Sequence, residues 1–261
     1  MSGFVFGVDE IVRREVEAVR VRRIILDQLE GGAKTGRELR DSIVKDMKAQ
    51  LALKGKRVPK KLDITSPKLY HNTQHLEKIG IITSTKLAQN RLFELSPMFV
   101  HPVRRALGLS RPLMYVTALS NPENQRPLVQ WLSKNPFYNP SKLLVFVEAS
   151  QWTRGVSRIL DRFIPDDAFR RWSTEWVEVE DELTGEGEPM VNGNLQGVYE
   201  KVGKELLDRI TEHDIVIDLT MGPQLLVLAM SWLAHDYSIA AIHVSHYGES
   251  GAQISYSLRG V

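Results

Sequence analysis

Residues 215–230 read Ile-Val-Ile-Asp-Leu-Thr-Met-Gly-Pro-Gln-Leu-Leu-Val-Leu-Ala-Met, and this segment is the most informative one about the fold of the C-terminal half. The apolar run predicts a buried strand, and Pro223 followed by apolar residues predicts the first residue of a helix. A buried strand that turns at once into a helix is typical of a parallel α/β sheet. The free backbone N–H groups at such a helix start favour a phosphate or another anion.

The remainder of residues 111–261 repeats this alternation of short apolar runs and longer amphipathic ones. The predicted strands are 113–119, 143–147, 175–179, 215–220 and 239–244, with a last run at 252–258. The predicted helices are 127–134, 153–163, 195–210 and 223–234. Strands that alternate with helices imply an α/β Rossmann-like, mostly parallel sheet, here with an antiparallel edge at its end.

Sheets of this kind bind ligands outside the carboxyl ends of their strands, near the topological switch point. The residues that follow the predicted strands are therefore candidate ligand-binding residues. They are Ser120, Asn121, Ser150, Gln151, Trp152, Thr220, Met221, Gly222, Gln224 and His246. Neither a GxGxxG fingerprint nor a Walker A sequence occurs, so NAD binding and ATP hydrolysis lack their usual signatures.

The N-terminal half predicts three helices and a hairpin. Thr35 with Glu38 three residues later forms a capping box, and Ser66-Pro67 supplies an N-cap and a first-turn proline. Gly80 suits the position after a helix end. The predicted elements are one helix over 11–29, a second from Thr35, a third from Ser66 to Gly80, and strands over 81–85 and 91–95.

This order is the plan of a winged helix, and residues 66–85, SPKLYHNTQHLEKIGIITST, resemble the recognition helix and first wing strand of winged helix-turn-helix regulators. The resemblance implies that residues 1–105 form a mainly α winged helix-turn-helix domain that binds double-stranded DNA. Asn and Gln pair with adenine, and Lys with guanine or phosphate. The candidate DNA-binding residues are Lys68, Tyr70, His71, Asn72, Gln74, His75 and Lys78 on the third helix, with Lys86 and Arg91 on the wing.

Charge divides the chain at the same place. Up to Ser110 there are 21 Lys and Arg against 12 Asp and Glu, so a net charge of +2 conceals a basic front of +9 and an acidic back of −7. A basic front is a candidate partner for phosphate backbones. His71 and His75 are four apart, as zinc ligands on a helix can be, but without a third ligand nearby no metal is predicted.

Composition excludes several classes of protein. The chain is 43% apolar and 25% charged, as soluble globular proteins are, and it has no cysteine. Disulfides, thiolate chemistry and iron–sulfur clusters are therefore excluded. No apolar run approaches the roughly 20 residues of a membrane span, and the N-terminus shows no leader pattern. We expect a cytoplasmic protein with no membrane partner.

The C-terminal half also resembles a known family. Residues 215–230 resemble the signature after the fourth strand of CRISPR-associated Rossmann-fold (CARF) sensor domains, Asp-x-Thr-Gly-Gly-Thr-Lys followed by an apolar helix. Asp218, Thr220 and Gly222 match this signature. Residues 116–121, Val-Thr-Ala-Leu-Ser-Asn, are similar to the family's other ligand loop. Three positions differ, where Gly, Thr and Lys or Arg are common in the family: Met221, Pro223 and Gln224.

CARF domains dimerise and bind cyclic oligoadenylate across their two-fold axis, and several are fused to a winged helix, usually in the opposite order. The resemblance implies that residues 111–261 are a CARF-type ligand-sensing and dimerisation domain. The whole chain is then a ligand-responsive transcription regulator in a CRISPR-linked defence pathway, a homodimer with a nucleotide second messenger as effector and no cofactor or catalytic residues. Two alternatives stay open. One is a ring nuclease that cleaves the cyclic nucleotide, with Ser120, Thr220 and His246 as its first candidates, and the other is a non-catalytic interaction scaffold.

Overall fold

The chain forms two compact units, Met1–Ser110 and Arg111–Val261, in a computed structural model. It describes residues 5–57, 59, 66–88, 90–119, 125–134, 139–150, 172–185, 192–244 and 254–258. Each unit has its own buried core.

The first unit contains five α-helices, one turn of 3-10 helix (Pro97–Phe99) and a small antiparallel sheet among its described residues. The helices are α1 (Val5–Ala18), α2 (Arg20–Glu30), α3 (Gly36–Leu53), α4 (Ser66–Lys78) and α5 (Val100–Leu107). The strands are β1 (Lys34–Thr35), β2 (Ile82–Leu87) and β3 (Asn90–Leu95), with β3 in the middle of the sheet. The strand β1 has only two residues, too short for the sequence pattern to predict.

The single helix predicted over 11–29 is wrong, because α1 and α2 are separated at Val19, whose backbone is extended. Val12 and Val16 are buried on α1, and Val21 and Ile25 are buried on α2. At about 100° per residue, one continuous helix would point the second pair about 180° away from Val12. The break lets both pairs face the same core.

Two helix ends follow the sequence signals. The capping box at the start of α3 is confirmed: the Glu38 amide donates to Thr35 Oγ1 at 3.3 Å, and the Thr35 amide donates to Glu38 Oε2 at 2.7 Å. After α4, Gly80 has a φ of +79°, and the Ile81 amide donates to the Leu76 carbonyl at 3.0 Å. The chain therefore turns directly from α4 into the hairpin of β2 and β3.

A buried ion pair joins the last helix of this unit to α2. Arg104 Nε donates to Glu30 Oε1 at 2.7 Å, and both side chains are almost fully buried. Removing one partner of such a pair leaves an uncompensated buried charge, which costs about 3–5 kcal/mol. The pair therefore fixes α5 against α2.

The second unit is built on a six-stranded sheet in the order β6-β5-β4-β7-β8-β9. Its strands are β4 (Leu113–Leu119), β5 (Lys142–Glu148), β6 (Ser173–Val179), β7 (Asp214–Asp218), β8 (Ala240–Val244) and β9 (Ile254–Leu258). The first five are parallel and β9 is antiparallel to β8, which confirms the predicted Rossmann-like sheet with an antiparallel edge. Numbered within the unit, this is the strand order 3-2-1-4-5-6 of doubly wound nucleotide-binding sheets.

Four helices of this unit fall within its described residues. They are α6 (Gln125–Lys134), α7 (Asp181–Thr184), α8 (Leu195–Leu207) and α9 (Gln224–Asp236). Leu128 and Trp131 of α6 pack against Tyr115 and Leu119 of β4, while α9 contacts β7, β8 and α8. The helix predicted over 153–163 lies outside the described residues. No described helix has the length and apolar character to cross a membrane.

Candidate functional site

The outward face of α4 carries most of the residues predicted to contact DNA. Leu69, Thr73 and Leu76 are buried, so the opposite side of α4 faces solvent. Tyr70 is 55% exposed. The other predicted residues of α4 that are exposed are Lys68, His71, Gln74 and Lys78.

Asn72 is not on this face, which corrects the prediction that it reads a base. Its side chain is buried, with 5% of its surface exposed. Its Nδ2 donates to the Lys68 carbonyl at 2.8 Å, and its Oδ1 accepts from Arg22 Nε at 3.2 Å. A buried amide must satisfy its polar atoms within the protein. Asn72 therefore fixes α4 to α2.

The side chain of His75 also contacts a residue of α1. Its Nε2 lies 3.1 Å from Glu15 Oε1, and Arg22 Nη1 donates to the same carboxylate. Burial would raise the pKa of Glu15, but hydrogen bonds from His75 and Arg22 outweigh it and hold that pKa below its usual 4.5. His75 thus lies beside Glu15 as well as at the wall of the groove described next, and its contact with DNA stays a prediction. No pattern along the chain indicated Glu15 or Arg22, because both lie on other helices.

An open groove of about 680 Å³ lies between α4 and the wing formed by β2 and β3. Arg91 closes one side: its Nη2 donates to Glu77 Oε1 at 2.9 Å and its Nε to Ser84 Oγ at 2.6 Å. Lys86 is exposed on β2. The residues that line the groove are His71, Gln74, His75, Glu77, Lys78 and Arg91.

A second candidate site lies at the carboxyl ends of β4 and β7 in the other unit. Chain connections leave these two neighbouring strands in opposite directions, to β5 and to β8, so the crevice between them is the topological switch point. Sheets of this architecture bind their ligands at this crevice. The turn from β7 to α9, with the sequence Asp218-Leu-Thr-Met-Gly-Pro223, lies at this edge.

Asp218 and Thr220 hold this turn together. Asp218 is fully buried, and its Oδ2 accepts from the Tyr115 hydroxyl at 2.8 Å. Its Oδ1 accepts from both the amide, at 2.9 Å, and the hydroxyl of Thr220. The Thr220 hydroxyl in turn accepts from the Val244 amide at 2.8 Å. Thr220 therefore also positions the turn, and Tyr115 is a partner of Asp218 that sequence patterns did not indicate.

Gly222 brings the turn into close contact with β4. Its φ is +114°, and a Cβ at this position would lie 2.5 Å from the Ala118 Cβ. Both features require glycine, since side chains disfavour positive φ and real Cβ atoms do not approach so closely. The match to the CARF signature at this position therefore has a structural cause.

The start of α9 is uncapped. Pro223 occupies the N-cap position and is not the first helical residue as predicted, and the first turn contains no acidic residue. Among the described residues no side chain caps this end, and the first backbone bond at the helix start is from the Val227 amide to the Pro223 carbonyl at 3.0 Å. Helix N-termini with unbonded N–H groups carry a partial positive charge that favours anions. Gln224 is exposed here, whereas Met221 packs against the core.

The other predicted ligand-binding residues are only partly accounted for. The Ser150 amide donates to Asp181 Oδ1 at 3.2 Å, which ties the end of β5 to α7. Five predicted residues lie outside the described residues: Ser120, Asn121, Gln151, Trp152 and His246. Two of the three candidates for ring-nuclease chemistry are among them. Within the described ranges, no group of His, Asp and Glu is arranged to hold a metal ion.

No protein-family model and no curated protein matches the chain. Several solved structures resemble part of it, among them the following three. Can2 from Sulfobacillus thermosulfidooxidans in complex with cyclic tetra-adenylate has 16% identity and a TM-score of 0.34 over 51% of this chain and 32% of that one. Protein VC1899 from Vibrio cholerae has 13% identity and a TM-score of 0.36 over 51% of this chain and 30% of that one.

The third is Csm6 from Enterococcus italicus bound to cyclic hexa-2'-fluoro-hexa-dAMP, with 14% identity and a TM-score of 0.37. It matches over 52% of this chain and 33% of its own. The chain thus spans about a third of the length of each of these proteins. TM-scores below 0.5 do not establish a shared function, so the function is argued from the geometry of the two candidate sites.

Proposed function

We propose that the protein is a ligand-responsive, DNA-binding transcription regulator whose first unit is a winged helix-turn-helix domain and whose second unit is a CARF-type sensor. The observation that carries this proposal is the groove between α4 and the wing, with exposed donors along its wall. The element order α1, α2, β1, α3, α4, β2, β3 supports it, because α4 then takes the place of a recognition helix.

The charges around the groove suit a nucleic acid. Lys68, Lys78 and Lys86 are exposed, and no described residue pairs with them. Each lysine that neutralises a phosphate releases condensed counterions, which gives affinity without sequence preference. Gln74 and His71 add hydrogen-bonding groups of the kind that read base edges.

For the second unit we propose an anionic nucleotide as ligand, a cyclic oligoadenylate by the resemblance of residues 215–230 to the CARF signature. The uncapped start of α9 at the switch point supports an anion, since partially charged N–H groups would meet its phosphates. The surrounding unit is acidic, so these local N–H groups must hold the ligand rather than the overall charge.

The regulator is proposed to act as a homodimer in a CRISPR-linked defence pathway. Leu228 and Trp232 lie four residues apart on α9 and are 40% and 49% exposed. Residues 224–234 contain no charged side chain, so two copies of α9 would meet without charge repulsion. A two-fold dimer would present two recognition helices to a palindromic site, about one helical turn apart.

A gel-shift titration of the full chain on its own upstream DNA, with and without cyclic tetra-adenylate, tests both halves of the proposal. We expect a shift that the ligand strengthens or weakens, because a ligand that binds two states unequally moves their equilibrium. A matched salt titration of Lys86→Ala should show a smaller salt slope, by about 1, than the wild type. Absence of any shift contradicts DNA binding, and a shift indifferent to the ligand contradicts sensing.

The same reaction mixtures separate a sensor from a ring nuclease. We propose that the protein does not cleave its ligand. Cyclic tetra-adenylate should be recovered intact by chromatography after incubation. Linear products would establish the enzyme.

A further inference from the structure

Three exposed side chains lie close together on one face of α4. At about 100° and 1.5 Å per residue, His71, Gln74 and Lys78 lie within about 60° of one another on the helix surface. They point away from the buried Leu69 and Leu76. All three line the groove beside the wing.

These side chains are available, in contrast to their neighbours. Asn72 is buried, and Arg91 is bonded to Glu77 and Ser84. No hydrogen bond or ion pair engages His71, Gln74 or Lys78 within the part of the chain that the structure describes. Asn72 and Arg91 hold α4 and the wing in place, whereas His71, Gln74 and Lys78 can contact a partner.

The length of helix that these three residues span matches a short run of base pairs. From His71 to Lys78 the helix rises about 10.5 Å, which corresponds to about three base-pair steps of roughly 3.4 Å. Side chains at the centre of an exposed helix face enter a major groove most deeply, whereas those at its flanks meet the phosphate walls. Lys68 and Tyr70 are exposed on the two flanks.

We propose that His71, Gln74 and Lys78 form a base-reading stripe that recognises three to four base pairs with purines on the contacted strand. A glutamine amide pairs in two places with adenine N6 and N7, and a lysine donates to guanine O6 and N7. A histidine ring N–H can donate to N7, which both purines present. The predicted order along the strand is purine, adenine, guanine. This inference rests on the proposed DNA binding and adds the base sequence that the protein prefers.

Selection of the full-length protein on duplexes with a randomised centre tests this order. The wild type should enrich an adenine and, one to two base pairs along the same strand, a guanine. Gln74→Ala should lose the preference for adenine and bind the selected duplex about tenfold or more weakly. Its binding to an unrelated duplex should not change. Gln74→Lys should move the preference at that position from adenine to guanine.

Lys86→Ala is the matched control, because it removes an exposed wing charge and leaves α4 untouched. It should weaken binding to every duplex alike and keep the selected sequence. Far-UV circular dichroism of each variant checks that these surface changes leave the fold intact. If the wild type retains no duplex, DNA binding itself fails. If it binds and Gln74→Ala selects the same sequence as the wild type, only the base-reading stripe fails.

Discussion

Gly222 occupies a position that no side chain fits, since its φ is +114° and a Cβ would lie 2.5 Å from that of Ala118. This residue lets the turn after β7 lie directly on β4. The bonds of Asp218 with Tyr115 and Thr220 hold the same turn. The geometry of the candidate ligand crevice therefore depends on this close approach and on these hydrogen bonds.

We expect Gly222→Ala to destabilise the second unit by about 2–4 kcal/mol, because positive φ and steric overlap with Ala118 add. Urea denaturation followed by circular dichroism measures this. Gly31→Ala is the matched control: Gly31 has a φ of −79° and room for a Cβ, so its change should stay within about 0.5 kcal/mol. Equal stability of the two variants would contradict the close packing of the turn.

At the scale of elements, α4 is oriented by residues of α1 and α2. Arg22 donates to both Asn72 and Glu15, and Glu15 lies beside His75. Two helices thus share one polar cluster with the helix that we propose to enter the major groove. The rest of α4 is held by Leu69 and Leu76, so the exposed side can vary without loss of the core.

The lowered pKa of Glu15 predicts how this cluster responds to pH. A carboxyl group whose pKa is lowered by folding stabilises the protein fully above its unfolded value, here about 4.5, and progressively less as the pH falls through its folded value. Glu15→Gln should therefore cost about 1–3 kcal/mol at pH 7. The difference from the wild type should shrink between pH 5 and pH 3.

Urea midpoints of both proteins across this pH range measure the effect. Glu17→Gln is the control, since Glu17 is exposed on the same helix and its replacement should matter little at any pH. A difference between Glu15→Gln and the wild type that grows on acidification is inconsistent with an ion-paired Glu15.

The two units of the chain carry net charges of opposite sign. Residues 1–110 carry a net charge of +9 and the remainder −7, and each unit buries its own apolar residues. Charge asymmetry of this size is a statement about partners and not about the fold. It fits a basic unit that meets DNA and an acidic unit that meets a small ligand through local N–H groups.

We expect fragments 1–110 and 111–261 to fold separately and to behave oppositely. At pH 7 the first should bind a cation exchanger and retain duplex binding, whereas the second should bind an anion exchanger and retain none. Circular dichroism with thermal melting checks the folding of each fragment. Loss of duplex binding from a folded first fragment would contradict its role as the DNA-binding unit.

Patterns along the chain were enough to predict most elements of this protein and much of their order. Alternating apolar runs placed all six strands of the large sheet, and capping signals placed the start of α3, because these patterns depend on neighbours within one helix or strand. The break at Val19 was readable in principle, since Val12 and Val21 cannot share one face of a continuous helix.

Which candidate side chains are engaged inside the protein became evident only from contacts between elements. Asn72 has the chemistry of a base reader, but Arg22, fifty residues away in the chain, engages it in the interior. The sequence does not show which groups bond to the Thr220 hydroxyl. In the fold it donates to Asp218 and accepts from the Val244 amide. A side chain's type is local information. Its availability depends on which groups the fold brings beside it, and a pattern along the chain does not contain those contacts.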